Sequence, residues 1–205
     1  MKMAVTDEEN LLNPNRGVAD LYFSPSWSEV RESNIGCLKK QRMGNMFLFQ
    51  ISNHRFILGP HWQLLVLLYA ALVFGTAFVY GIIVPQQRTM QIAVGLALST
   101  TSLASLTVVA LKDPGVVPRH TVPKGQGWTL CDRCDSFRPP HSVHCSQCNV
   151  CIEEYDHHCA WSSKCIGKMN MKWFRVFLLS LASTLVFDII VCLQRFFRHP
   201  LVIYY

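Results

Sequence analysis

Half of the 205 residues are hydrophobic and the formal net charge is +6, yet the mean hydropathy is only slightly positive, so the distribution of apolar residues is more informative than their average. Long uncharged runs sit beside polar, cysteine-rich stretches, which argues against an evenly patterned soluble domain and for a membrane protein with an embedded polar module. The opening "MKMAVTDEENLLNPNR" has acids where a secretory signal would have a basic and then an apolar region, so it does not read as one.

In chain order, residues 1–59 are mixed in charge and weakly periodic, and read as a partly disordered cytosolic N-terminal tail. Within them Cys37, near "KKQR", reads as an ordinary reduced thiol, with acylation the alternative. "WQLLVLLYAALVFGTAFVYGIIV", Trp62 to Val84, carries no charge and is long enough to cross about 30 Å of hydrocarbon. A short turn containing Arg88 leads to Ile92–Leu111, also uncharged and rich in Ser and Thr, which allow close helix packing. Residues 60–111 therefore read as a transmembrane hairpin. A third apolar run, Phe174 to Leu193, predicts a membrane helix over 174–194 with a short lumenal end at 195–205. Asp188 in that run reads as a helix-end residue, the alternative being a carboxyl turned toward another helix. Lys112, Arg119, Lys124, Arg133, Arg138, Lys164, Lys168 and Lys172 load the segment 112–173, which the positive-inside rule places in the cytosol. Arg195 and Arg198 run against that rule and are outweighed. The fold class expected is an α-helical polytopic membrane protein with a small cytosolic zinc-binding, Cys-rich domain between the second and third transmembrane helices.

Seven of the nine cysteines fall between Cys131 and Cys165, which points to metal ligands in a reducing compartment and not to disulfides. The candidates are Cys131, Cys134, Cys145, Cys148, Cys151, Cys159 and Cys165 with His141, His144, His157 and His158. Zinc takes four such ligands, and CxxC pairs are its commonest bite. Two sites would use eight of these residues and leave three spare, but spacing alone does not say which. In "DHHC" three adjacent side chains cannot easily converge on one metal. If His158 is a ligand, His157 and Cys159 are held beside the metal: a thiol nucleophile, Cys159, with an imidazole base, His157, oriented by Asp156.

The stretch "CDRCDSFRPPHSVHCSQCNVCIEEYDHHCAWSSKCIGKMNMKWF" closely resembles the cysteine-rich domain of the DHHC protein S-acyltransferases, or palmitoyltransferases, and Asp113-Pro114-Gly115 is similar to that family's DPG motif. The resemblance implies two structural zinc ions, one held by Cys131, Cys134, His144 and Cys151 and the other by Cys145, Cys148, His158 and Cys165. It implies Cys159 as the nucleophile, His157 as its base, Asp156 as the orienting carboxylate and Trp161 beside the reacting carbonyl; the spare His141 receives no role. The implied reaction moves a long-chain acyl group, such as palmitoyl, from acyl-CoA onto Cys159 and then onto cysteines of membrane-apposed proteins. The implied setting is the lipid bilayer of the endomembrane system (ER, Golgi or plasma membrane), with the Cys-rich domain facing the cytosol.

Where the family reads like "WVNNCIG" this chain has "WSSKCIG", so Ser162 replaces an apolar residue and Lys164 an asparagine. Lys164 reads as a solvated surface lysine, with a contact to coenzyme A phosphate the alternative. Lys164, Lys168, Lys172 and Arg175 are placed to attract CoA phosphates or anionic lipid. The family also has a fourth span and a TTxE motif beyond the point where this sequence stops, at Tyr205, so a truncated chain that binds zinc but acylates poorly is the expectation, and a zinc-binding membrane scaffold or partner of a full-length homologue is the other reading. A nucleic-acid-binding zinc finger is disfavoured by the weak basic balance and the membrane tether.

Overall fold

The computed structural model describes residues 33–35, 38–51, 54–83 and 89–198. Cys37, the turn around Arg88 and the end beyond residue 198 lie outside these, as do the first 32 residues. Three helices dominate: α1 (Trp62–Phe78), continued by a π-helical turn over Val79–Ile83; α2 (Thr89–Leu111); and α3 (Met171–Arg198). Each is long and apolar enough to cross a membrane. Their outward side chains are large and apolar, including Phe74, Ile82, Leu179 and Phe197, as lipid-facing surface requires. The third helix begins three residues before the expected Phe174 and continues past Arg195, because no proline or glycine interrupts its period.

The serines of α2 are interior. Ser99, Ser102 and Ser105 are buried, and they meet α3: Ser102 Oγ lies 3.2 Å from Thr184 Oγ1 and Ser105 Oγ 3.4 Å from Ser180 Oγ. Small hydroxylic residues let the two backbones approach and satisfy one another where water is absent. Asp188 is not at a helix end, as expected, but ten residues before the end of α3, where it accepts a hydrogen bond from the Tyr80 hydroxyl. A carboxyl in an apolar layer needs a donor, and the π turn of α1 carries one.

The stretch read as a weakly periodic tail folds instead over residues 33–58. It forms an antiparallel meander of β1 (Ser33–Ile35), β2 (Leu38–Met43), β3 (Met46–Ile51) and β4 (His54–Leu58). Met43, Met46, Leu48 and Ile57 line its buried face and pack with Val116, Val150, Ile152 and the thiols of Cys145, Cys148 and Cys165. The alternation Met46-Phe47-Leu48-Phe49 is apolar on both faces, so it lacks the apolar/polar alternation by which a half-buried strand is read.

Between α2 and α3 the chain makes three two-stranded ribbons: β5 (Thr129–Cys131) with β6 (Ser136–Arg138), β7 (Val143–Cys145) with β8 (Val150–Ile152), and β9 (His157–Cys159) with β10 (Lys164–Ile166). Asp113-Pro114-Gly115 fastens this module to the end of α2. Asp113 Oδ1 accepts from the Gly115 and Val116 amides at 2.8 and 2.9 Å, and the Gly115 carbonyl accepts from Glu153 N at 2.8 Å. At the other end, fully buried Asn170 precedes α3, accepting from Gly167 N through Oδ1 at 2.9 Å and donating through Nδ2 to the Cys165 carbonyl at 3.0 Å.

Lys164 is neither a solvated lysine nor a phosphate contact. It is fully buried, and its Nζ donates to the carbonyls of Ile57, in β4, and Ala110, in the last turn of α2. One ammonium thus serves acceptors from the meander and from a helix end that lacks intrahelical donors. Burial pushes its pKa down to about 7, against the opposing pull of Asp113.

The approach of the meander to the module depends on two glycines. Gly44, in the β2–β3 turn with φ +56°, comes so close to the Cys145–Cys148 loop that a Cβ would lie 2.5 Å from the Cys148 carbonyl oxygen. At Gly59 a Cβ would lie 2.0 Å from the Ser163 carbonyl oxygen. Gly59→Ala should therefore cost about 1–3 kcal/mol through forced separation of these backbones, lowering the melting temperature of the detergent-solubilised protein by several degrees. Gly75→Ala, where nothing lies within 4 Å of the added carbon, should leave it nearly unchanged. Equal melting of both variants would show that the meander does not dock on the module.

Candidate metal centre and thiol site

Antiparallel register brings the cysteines and histidines together. In the second ribbon His144 stands directly across from Cys151, and in the third His158 stands across from Cys165. The tight turns add Cys131 with Cys134 and Cys145 with Cys148. Two groups result, Cys131, Cys134, His144 and Cys151, and Cys145, Cys148, His158 and Cys165, each with its four ligand atoms within 4.8 Å of one another. Neighbours on a strand point to opposite faces, so β7 sends His144 into one group and Cys145 into the other. The two groups interleave for that reason.

The atoms in each group form a cage and not a set of bonds to one another. His158 Nδ1 lies 3.4, 3.4 and 3.5 Å from the sulfurs of Cys145, Cys148 and Cys165. His144 Nδ1 lies 3.2, 3.7 and 4.0 Å from those of Cys134, Cys131 and Cys151. Cys165 and Cys148 sulfurs are 3.4 Å apart and Cys151 and Cys134 sulfurs 3.7 Å apart. Zinc–sulfur bonds of about 2.3 Å imply sulfur–sulfur edges of about 3.8 Å in a tetrahedron, so the cages fit zinc. Cys148 N donates to Cys145 Sγ at 3.4 Å, a bond that favours a thiolate at that sulfur.

The clustered thiols of each cage also influence one another's protonation. Hydrogen bonds to its neighbours, followed by burial, hold the Cys165 thiol far above its usual range, and a hydrogen bond to Cys134 with burial does the same to Cys151. Hydrogen bonds from Cys148 and Cys165 push Cys145 the other way. A dication in each cage would let the three sulfurs of that cage ionise together. Burial lowers His144 and so favours the neutral imidazole that a metal needs.

His157 and Cys159 occupy the opposite face of β9 from His158. Cys159 packs against the core formed by Leu65, Leu106, Val109, Ala110, Ile166 and Phe177, at the end of the three helices nearest the module. It is half-buried, whereas the six cysteines of the cages are buried. The His157 ring meets that of Phe174 edge-on at 5.3 Å, and its Nδ1 lies 2.8 Å from Asp156 Oδ2. Asp156 accepting from Nδ1–H leaves Nε2 as the basic nitrogen. Trp161, in the 3₁₀ turn Ala160–Ser162, is half exposed. His141, with φ +62°, belongs to neither group. The exposed Lys172 and Arg175 line an open groove with Met171, Val176 and Leu179, while Lys168 is tied to Glu153 at 2.8 Å.

Two residues that support this site carry no sequence signal. Ser163, fully buried with φ +75°, accepts through Oγ from Gly59 N at 3.1 Å and through its carbonyl from His61 N at 3.2 Å. His61, at the head of α1, lies with its Nδ1 3.0 Å from His158 Nε2. Both contacts join segments about a hundred residues apart, and no local pattern encodes them.

Residues 124–201 match the model of the DHHC palmitoyltransferase family. The chain is similar to "Palmitoyltransferase ERF2" of Candida glabrata, 37% identical over 103 residues, covering 38% of this chain and 32% of that protein. It is similar to "Palmitoyltransferase ZDHHC9" of Homo sapiens, 33% identical over 119 residues, covering 42% of this chain and 33% of that protein. "Probable protein S-acyltransferase 5" of Arabidopsis thaliana is 31% identical over 135 residues, with 50% of this chain and 28% of that protein covered. The chain thus spans about a third of the length of these curated relatives.

Thiol counting checks the cages. In the native protein a thiol reagent should modify Cys159 in the module while the six cage cysteines stay protected. After a strong chelator is added, those six should become reactive together. Reaction of all seven before chelation would contradict metal binding at the cages.

Proposed function

From the match of residues 124–201 to the DHHC palmitoyltransferase family model we propose that the protein is a member of that family and a protein-cysteine S-acyltransferase. It takes a long-chain acyl group from acyl-CoA onto Cys159 and passes it to cysteines of proteins lying against the same membrane. The observation that carries this reading is the two-faced strand β9: His158 points into a cage while His157 and Cys159 face the helices, with Asp156 2.8 Å from His157.

In the first half-reaction His157 Nε2 takes the Cys159 proton, and the thiolate attacks the thioester carbonyl carbon of acyl-CoA. The new carbon–sulfur bond forms as the bond to CoA sulfur breaks, and the proton on His157 goes to the departing CoA thiolate. In the second, a substrate cysteine loses its proton to His157 and attacks the S-acyl-Cys159 carbonyl, returning Cys159 as the leaving thiol. Each step exchanges one thioester for another, so placement and thiolate fraction are what the protein must supply. Asp156 keeps the His157 tautomer, and Trp161 stands beside the reacting carbonyl. The apolar surroundings of Cys159 suit an acyl chain entering from the bilayer, since each CH₂ kept from water contributes about 0.8 kcal/mol.

Two zinc ions are proposed, one per cage, held by Cys131, Cys134, His144 and Cys151 and by Cys145, Cys148, His158 and Cys165. Zinc with four protein ligands has no open position and supplies structural cross-links only. The three apolar helices are proposed as membrane spans of the endomembrane system. The Cys-rich domain at 112–173 then faces the cytosol, supported by the lysines and arginines concentrated there. Lys172 and Arg175 are available to phosphates at that face; Lys164, being buried, is not.

Metal analysis of the purified protein should return about two zinc ions per chain; one or none would overturn the paired-cage reading. In membranes supplied with a labelled acyl-CoA, Cys159→Ser should lose hydroxylamine-sensitive labelling and keep its zinc. His157→Ala should keep zinc and acylate 10²–10⁴-fold more slowly, the usual contribution of a general base. His158→Ala should lose metal. Undiminished labelling of Cys159→Ser would move the nucleophile elsewhere.

A further inference from the structure

The two cages differ in one respect that neither their ligands nor their spacing explains. Each presents an imidazole Nδ1 to three sulfurs. The far nitrogen of His144 is buried and has no hydrogen-bond partner. The far nitrogen of His158 lies 3.0 Å from His61 Nδ1, with the two rings edge-on and their centroids 5.0 Å apart. Of the two histidines, only the one that adjoins Cys159 is held from behind.

We infer that His61 is a positioning residue that fixes the cage containing His158 and, through it, the strand that carries His157 and Cys159. The inference rests on the metal-binding reading of the cages. A histidine that ligates through Nδ1 carries its proton on Nε2, so it must donate there, and His61 Nδ1 must be the unprotonated acceptor with its own proton on Nε2. Such an outer partner fixes ring orientation and raises the basicity of the ligating nitrogen.

His61 is suited to this by its backbone. Its amide donates to the Ser163 carbonyl at 3.2 Å, and its carbonyl accepts from Leu64 and Leu65 at 3.1 and 3.4 Å, opening α1. Gly59, two residues before it, donates to Ser163 Oγ. Ser163 closes the turn between β9 and β10, so side chain and backbone of one segment grip the same ribbon at the middle of β9 and at its turn. The head of α1 is thereby coupled to the geometry of Cys159 through His158, with no contact to the thiol required. The cage of His144 sits farther along the module, among Val117 and its own cysteines, and has no such support.

The test uses the full chain in detergent or nanodiscs with two variants. His61→Phe keeps a flat ring and removes the acceptor. His61→Asn restores an acceptor, because its Oδ1 occupies nearly the place of the imidazole Nδ1. Zinc transfer to a chromophoric chelator should proceed in two phases of equal amplitude. His61→Phe should accelerate one phase about 10–100-fold, the usual effect of losing an outer partner, and leave the other unchanged. His61→Asn should restore most of the difference. The acylation rate at saturating acyl-CoA should fall in His61→Phe with its half-saturating concentration unchanged, and recover in His61→Asn. Equal acceleration of both phases, no acceleration, or an Asn variant as labile as the Phe variant would overturn the assignment.

A measurement on the unaltered protein covers the case in which His61→Phe does not fold. With ¹⁵N-histidine and ¹¹³Cd in the cages, His158 should show metal coupling at Nδ1 and, at Nε2, a coupling across the hydrogen bond to His61 Nδ1. Metal coupling at Nε2, or no coupling to His61, would contradict the inference. Neither metal readout depends on acyl transfer. A protein with the predicted couplings and no acyl-enzyme would fail as an S-acyltransferase while leaving the role of His61 standing.

Discussion

Six thiols buried within a few ångströms of one another, in two groups with an imidazole each, form an arrangement that water cannot solvate and that neutral sulfur chemistry does not hold together. Unpaired, they compete for protons, and some are driven far above their ordinary range by their neighbours. A divalent cation in each group, as proposed, would remove that competition and become the main cross-link of a module whose strands are only three residues long. Strands of that length do not stand alone in water, so the position of everything on them, including Cys159, depends on the cages.

The second constraint is the join between this polar module and the apolar helices. Beside the apolar contacts of Ile166 and Cys159 with the helices, it is made by polar side chains: half-buried Asp113 at the end of α2, buried Asn170 ahead of α3, buried Lys164 between β4 and α2, and buried Ser163 with Gly59 and His61 at the head of α1. A buried polar group with all its partners specifies one geometry, because any shift leaves a donor or acceptor unpaired at a cost of about 1–3 kcal/mol. The half-buried thiol face of β9 is in this way given a defined height above the helices. On the proposed acyl transfer, such a height is what a thiol receiving a membrane-bound acyl chain would need.

The sequence makes some of this legible and not the rest, for physical reasons. Three uncharged runs announce three apolar helices because length and composition alone decide that property. The resemblance names eight ligands, and the fold gathers the same eight into two groups; their occupation by zinc and the role of Cys159 are proposals. Alternation along β9 gives a reason for the separation of His157 from His158 that the bare "DHHC" lacks, since period-two geometry cannot be read from four residues whose strand character is unknown. Lys164 was misread because a lone lysine is ordinarily solvated, and only a tertiary arrangement supplies two carbonyls to a buried ammonium. The meander over 33–58 is not legible because Met46-Phe47-Leu48-Phe49 in β3 is apolar on both faces while β2 is mostly polar, and the role of His61 is not because its partner is 97 residues away. Asp188 fell to the same limit: its donor, Tyr80, sits on another helix.

The composition of the cages decides whether β9 separates a metal-holding face from a reacting face. X-ray absorption at the zinc edge of the purified full chain reads it without reference to activity. The predicted spectrum is fitted by three sulfurs at about 2.3 Å and one nitrogen at about 2.0–2.1 Å per zinc, with no oxygen. A fit requiring four sulfurs, two nitrogens or an oxygen per zinc would mean that Cys159, His157 or solvent, respectively, takes a place in a cage. The separation of a metal-holding face from a reacting face on β9 would then be contradicted.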